Sequence, residues 1–297
     1  MINIMKIVTS TSGRIIENGG IYNILKVLHE AGFDGADLGM FALNQPYFTE
    51  NAEYRKDVLR GVKDFGIEIR QAHAPFPGYR FDDEDYNQKL DTAVRTAIQT
   101  AGELGAHTIV VHPIHCTHMT TDEQMEWNMD YYMSLAPVAK SAGIRIALEN
   151  MYAGAGAPDR FCANVCSLPY EFSRYFDALH AWDKDLFNCC LDLGHFAMLG
   201  CPPQKAIKEM GHSRVGALHV HDNNLIHDQH NPPYMGNIQW EEVAKALATI
   251  HYQGDFTFEP KTMYYLPAEL RPAANRFLVE VGRFLIGRIE YYQNQEK

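Results

Sequence analysis

The chain has 297 residues, 46% of them hydrophobic, and carries a net charge of −11 with 21% charged residues. That length supports a sizeable buried core and a single barrel domain over 1–297. The acidic balance argues against a nucleic-acid partner, and no apolar run reaches the ~18 residues of a membrane span.

The first apolar run is MKIVTS (5–10), followed by helical spacing over IYNILKVLHEA (21–31). GFDGADLGM (32–40) then carries Asp37, and GIEIRQAHAP (66–75) carries His73. A helical pattern over 86–104 leads to GAHTIVVHP (105–113), which ends on His112. A second, over 123–142, leads to GIRIALEN (143–150), which ends on Glu149. The run FNCCL precedes Asp192, and Pro202 and Pro203 open a short helix, QKAIKEMG. VGAL precedes His219, a helix is expected over 240–250, and GDFTFEPK (254–261) carries Glu259. A long amphipathic helix over about 267–292 completes the chain, and its exposed face offers a surface for a homo-oligomer.

The seven polar residues that close these runs lie 36, 39, 37, 43, 27 and 40 residues apart. One strand plus a return helix needs roughly 30 or more residues. The glycine before each run suits a left-handed helix end, and the Ile- and Val-rich runs read as strands buried on both faces. Eight such units predict an α/β fold, a (β/α)8 TIM barrel, with the polar residues at the C-terminal rim where barrel enzymes keep their chemistry. An open doubly wound sheet is the competing topology, and the glycine-rich phosphate fingerprint it would want after the first strand is missing.

Glu149, Asp192, His219 and Glu259 form a mixed oxygen and nitrogen set on four consecutive strands. It suits Mn²⁺, Zn²⁺, Co²⁺ or Mg²⁺. His195 is expected on the loop above the rim. HVHDNNLIHDQHN (219–231) adds His221, Asp222, His227, Asp228 and His230 as candidate ligands, and His219 and His221 share one facing direction along a strand. Asp37 is expected as a helix cap or a hydrogen-bonded rim residue. Phe76, Tyr79, Tyr152, Phe161 and Tyr234 are candidates to wall a pocket at the rim. Lys261, Arg80 and Arg160 are candidate phosphate contacts.

Among the six cysteines, Cys189 and Cys190 read as buried small apolar residues, and Cys162 with Cys166 lacks the second pair of a structural zinc site. With no N-terminal secretory h-region, a soluble, reduced, cytoplasmic protein is expected.

The stretches HAPF (73–76), VVHP (110–113), ALENM (147–151), CLDLGHFAMLG (190–200), HVHDNN (219–224), DQHNPPYMGNIQW (228–240) and FEPK (258–261) resemble the xylose isomerase-like TIM barrels. That group includes sugar and sugar-phosphate isomerases and epimerases and the endonuclease IV type of abasic-site nuclease. The resemblance implies one divalent metal on Glu149, Asp192, His219 and Glu259 in the isomerase branch. In the nuclease branch it implies three zinc ions that also use His73, His112, His195, Asp228 and His230. All nine residue types are present.

The expected function is thus a metal-dependent sugar or sugar-phosphate isomerase or epimerase. Glu149 and Glu259 would carry protons through an enediolate-like intermediate, with His195 assisting. His73, His112, His221 and Lys261 would contact a small-molecule substrate. The alternatives are a zinc phosphodiesterase acting on abasic DNA and a dehydratase or lyase of the same family. The rim stretches 80–91 and 115–127 are acidic or neutral, where a duplex-binding rim wants Arg and Lys. The loop 222–231 has no arginine, a departure from several ketose epimerases of the family.

Overall fold

Short runs of Ile, Val, Ala and Leu extend into strands whose two faces are both covered, and that is how they lie here. The computed structural model describes residues 5–11, 15–76, 78–116, 118–156, 160–260, 266–267 and 269–295. Eight parallel strands form one sheet: β1 (Ile7–Ser10), β2 (Gly35–Gly39), β3 (Glu68–His73), β4 (Thr108–Val111), β5 (Arg145–Glu149), β8 (Phe187–Asp192), β9 (Val215–His219) and β10 (Phe256–Phe258). They follow the order β10-β1-β2-β3-β4-β5-β8-β9. Closure comes from a bridge between Val220 and Phe258, where Val220 N–H donates to Thr257 O at 2.8 Å. A separate hairpin, β6 (Tyr152–Gly154) with β7 (Phe161–Ala163), rises from the exit of β5. The fold is a single (β/α)8 barrel.

Around it run α1 (Ile21–Ala31), α2 (Pro46–Thr49), α3 (Asn51–Phe65), α4 (Glu84–Glu103), α5 (Thr121–Ala142), α6 (Pro169–Trp182), α7 (Leu193–Met198), α8 (Pro203–Met210), α9 (Trp240–Thr249) and α10 (Arg271–Gln295). Two helices start earlier than their apolar spacing suggests, because polar caps begin them. Asp83 accepts from Tyr86 N–H at 3.1 Å, and Thr120 and Glu123 form a reciprocal capping box. Gly32, Gly66, Gly105 and Gly143 adopt φ of 97°, 70°, 101° and 65°, the left-handed turns expected before β2, β3, β4 and β5. Gly254 differs. The turn after α9 is made by His251 at φ 49°, and Gly254 lies under the Tyr252 ring.

Apolar spacing left α2, α3, α6, α7 and the hairpin unassigned. In α3 only Tyr54, Val58 and Gly61 are buried, so its apolar stripe is thin. Gly61 lets α3 lie close on α1, where a Cβ would stand 2.7 Å from Leu25 Cδ1. No helix among the described residues is long and apolar enough to cross a membrane.

The barrel interior explains the rim. Val110, Ala147, Cys190 and Ala217 form a small buried cluster of their own. Each lies two positions before His112, Glu149, Asp192 or His219. With a side-chain period of two, the four polar groups stand one step above a floor of small apolar residues. Cys190 is fully buried, as expected, and burial pushes its thiol up to about 12. Under β2 and β3 the floor is polar instead: Gln71 Nε2–H donates to Asp37 Oδ2 at 3.3 Å.

A floor of small residues leaves no slack for a larger one. Ala147→Leu is expected to lose about 1–3 kcal/mol of stability in urea unfolding. An unchanged midpoint would show a looser interior than the one described.

Candidate active site

Four of the rim residues end their strands: His73 on β3, Glu149 on β5, Asp192 on β8 and His219 on β9. His112 and Glu259 follow β4 and β10 by one residue. The strand ends therefore deliver six polar side chains to one mouth.

Backbone carbonyls set the orientation of three imidazoles. His73 Nδ1 lies 2.7 Å from Ala74 O, His195 Nδ1 2.8 Å from Asn150 O, and His230 Nδ1 2.6 Å from Glu259 O. A carbonyl only accepts, so Nδ1 carries the proton in each ring and Nε2 presents a lone pair inward. This is the arrangement that tunes histidines as metal ligands.

His195 departs from expectation. It sits in the first turn of α7, 6% exposed, because Asp192 caps that helix and accepts from His195 N–H at 2.7 Å. Asn150 locks β5 to β8: its Oδ1 accepts from Asp192 N–H at 2.8 Å, and its Nδ2–H donates to Asp192 O at 2.9 Å. Nothing in spacing singles Asn150 out, although it stands beside Glu149 in the ALENM stretch.

The side chains gather in overlapping groups, each with its ligand atoms within 4.8 Å of one another. In the first, His73 Nε2 and His112 Nε2 stand 3.1 Å apart and lie 3.4 and 2.9 Å from Glu149 Oε2. In the second, Glu149, Asp192 and His219 meet; His219 Nδ1 is 2.9 Å from Glu149 Oε1 and 3.8 Å from Glu259 Oε2. In the third, His195, His221, Asp228 and His230 converge, with His230 Nε2 2.8 Å from Asp228 Oδ1.

These residues fit a divalent metal. Two facing ring nitrogens at 3.1 Å, aimed at one carboxylate oxygen, cannot both be satisfied by each other. Glu149 Oε2 is buried without a hydrogen bond, and so is His221 Nδ1. Imidazole and carboxylate donors together suit Zn²⁺ or Mn²⁺.

His221 is fully buried behind Asp192, its Nε2 3.0 Å from both carboxylate oxygens, and its ring stacks on His230 at 3.8 Å. Gly194 permits this packing, since a Cβ there would fall 1.9 Å from His221 Cε1. Asp222 is no ligand. It accepts from the N–H groups of Asn223, Gly236 and Ile238 and from Trp240 Nε1–H at 2.8–3.0 Å, and so folds the loop that carries Asp228 and His230. His227 bonds Asn224 instead of joining a ligand group.

Burial would raise the Glu149 pKa, yet the His219 and His112 imidazoles hold it well below the usual carboxylate range. Asp192, raised by burial, is brought down to about 2 by His195 and His221. Glu259 is likewise held down by His219 and His230. Asp37 goes the other way, pushed up to about 6 by burial.

Asp37 is neither a cap nor a rim group. It is 1% exposed inside the barrel, on a β2 whose register shifts between Ala36 and Asp37, and its Oδ2 faces His219 Nε2 at 3.9 Å.

Three of the expected aromatics line the mouth. Phe76 stacks on His112 at 5.0 Å, Tyr152 meets His195 at 4.8 Å, and Phe161 packs on Tyr152. Phe41, which the sequence reading passes over, meets His73 at 5.1 Å. Tyr79 packs instead on Trp127, and Tyr234 on Phe284 of α10. Arg80 is tied to Asp83 at 3.6 Å and covers the Tyr86 ring. Arg160 is exposed beside the hairpin, and Lys261 lies outside the described residues.

A solved D-tagatose 3-epimerase-like protein superposes with a TM-score of 0.73 at 21% identity, covering 99% of this chain and 100% of that one. The IOLI protein with a bound zinc atom gives 0.70 at 16% identity, covering 97% and 99%. These likenesses are of fold. The uncharacterized protein MJ1311 of Methanocaldococcus jannaschii is 27% identical over 200 residues, 64% of each chain, so under two thirds of that relative's length is matched. A family model described as a xylose isomerase-like TIM barrel matches residues 25–280, and the chain belongs to that family.

Proposed function

We propose that the protein is a divalent-metal-dependent isomerase or epimerase of a sugar or sugar phosphate. The observation that carries this reading is the approach of two strand-end glutamates to one nitrogen. His219 Nδ1 lies 2.9 Å from Glu149 and 3.8 Å from Glu259, with Asp192 completing the set. When bound by these four residues, a divalent ion supplies Lewis-acid polarisation of a carbonyl.

The chain's own groups do the rest. Glu149 and Glu259 stay ionised because neighbouring imidazoles offset burial, so each can take a proton from a carbon beside a carbonyl. One removes that proton to leave an enediolate-like intermediate, and the other, once it has taken up a proton from solvent, returns one to carbon. Glu259, 19% exposed against 2% for Glu149, is the one that exchanges protons with solvent. His195 has its Nδ1–H committed to Asn150 O, so its Nε2 accepts from a substrate hydroxyl. His73 and His112 hold a further substrate oxygen beneath Phe41 and Phe76. His221 contributes by keeping Asp192 aligned, and Lys261 is assigned to a substrate phosphate. Phe76 and Tyr152 offer flat faces to a sugar ring. All six cysteines are free, in keeping with a reducing, cytoplasmic setting.

The groups His73–His112–Glu149 and His195–His221–Asp228–His230 favour a second reading, a three-ion phosphodiesterase acting on abasic DNA. The net charge of −11 weighs against it.

Three measurements test the assignment. With Mn²⁺ or Zn²⁺ supplied, incubation in deuterium oxide with a panel of ketoses, aldoses and their phosphates is expected to label a carbon next to a carbonyl. Cleavage of an abasic duplex without any such labelling would overturn the isomerase reading. Glu149→Gln is expected to lower turnover about 10²–10⁴-fold while circular dichroism stays unchanged; retained turnover would remove Glu149 from proton transfer. Asp37→Asn is expected to weaken metal binding about 10–100-fold in competition with a chromophoric chelator, because it faces the far nitrogen of His219. Unchanged affinity would leave Asp37 without a positioning role.

A further inference from the structure

Helix α10 buries Leu278, Val279, Val281, Leu285, Ile286 and Ile289 against the barrel. Its opposite face carries a row of aromatics among the charges of Arg276, Glu280, Arg283 and Glu290. Phe277, Phe284 and Tyr291 are 43%, 56% and 49% exposed, and they recur every seven residues. Two helical turns separate each from the next, so the rings form one line down the outside of the helix. The line widens onto the loop that follows β9: the Tyr234 ring, 50% exposed, lies 6.1 Å from Phe284, and Met235 beside it is 58% exposed. A solvated face needs no such row, and contiguous exposed apolar surface marks an interaction site.

We infer that this face is a two-fold seam between two copies of the chain, with the α10 helices antiparallel and crossing at Phe284. Phe277 and Tyr291 lie seven residues to either side of Phe284. A two-fold axis there sets Phe284 on Phe284 of the second copy and Phe277 on its Tyr291, a self-complementary match. Charge selects the direction. Arg276 flanks one end of the row and Glu290 the other, both exposed. Antiparallel helices bring Arg276 beside Glu290 of the second copy at both ends, while Arg283 at the centre, which would meet its own copy, is turned onto Gly32 O at 3.1 Å. Gly287, with open space around its Cβ position, leaves room for an incoming ring. The exposed aromatic and methionine side chains of both copies contribute on the order of 1,000 Å², the threshold of a specific interface. The seam also rests on the loop that holds Asp228 and His230, so pairing restrains the third ligand group.

Sedimentation velocity of the full chain tests this, with circular dichroism as the check on folding. The wild type is expected to be a dimer, and Phe284→Glu a folded monomer with a dissociation constant raised at least about 30-fold. Arg276→Glu and Glu290→Arg are each expected to weaken the dimer, and the double variant to restore it. A wild type that is monomeric at about 100 μM, or a Phe284→Glu variant that stays dimeric, overturns the seam. Failure of the double variant to restore the dimer overturns its antiparallel arrangement.

Discussion

Glu149 is the residue on which the two halves of the mouth close. Its Oε1 accepts from His219 on β9, while its Oε2 faces His112 and His73 from β4 and β3. A carboxylate at 2% exposure has lost its water, a loss of several kcal/mol, so it persists as an anion only with cationic or donor groups around it. The His219 and His112 imidazoles provide that environment. Removing either leaves the carboxylate incompletely compensated, so these two histidines act together.

The same constraint sets the outer groups. Each imidazole whose Nδ1 is committed to a carbonyl has one remaining function, its Nε2 lone pair. His73, His195 and His230 are all in that state, and their carbonyl partners belong to strand exits, Ala74, Asn150 and Glu259. The backbone that ends the strands therefore also aims the histidines. A barrel rim with rigid exits can preset ligands in this way without the side chains having to search for a geometry.

Much of this was legible in the linear chain, because period and residue type are local signals. A polar residue two positions beyond a small inward one marks a strand exit, and Val110, Ala147, Cys190 and Ala217 stand two before His112, Glu149, Asp192 and His219. What escaped depended on non-local packing. Asp37 falls inside the barrel because the pairing of β2 with β3 shifts by one residue at Ala36 and Asp37, which no pattern within 32–40 encodes. His195 became helical because Asp192, read only as a ligand, is also the cap of α7. Gly194 is small for the sake of a ring 27 residues away, and Asp222 reads as one more acidic ligand until its four donors are seen. Tyr79 and Tyr234 looked like pocket walls by position, and packing against α5 and α10 took them elsewhere.

Asp222 also shows why the third ligand group is the most conditional part of the site. Asp228 and His230 come from no strand end; they hang on a loop anchored by that buried carboxylate and its four donors, by the backbone bridge of Asp222 to Asn231, and by the bond of His230 Nδ1–H to Glu259 O. His230 itself holds φ 50° and Tyr234 φ 72°, backbone settings that non-glycine residues keep only when their surroundings impose them. On the inner side the imposing contacts are Asp222 and the His221 ring. On the outer side they run through Tyr234 to Phe284, the midpoint of the aromatic row on α10. A contact that covers that row would therefore act on the same loop that positions Asp228 and His230, and would reach the central set of Glu149, Asp192, His219 and Glu259 through Glu259, whose backbone carbonyl accepts from His230 Nδ1–H at 2.6 Å.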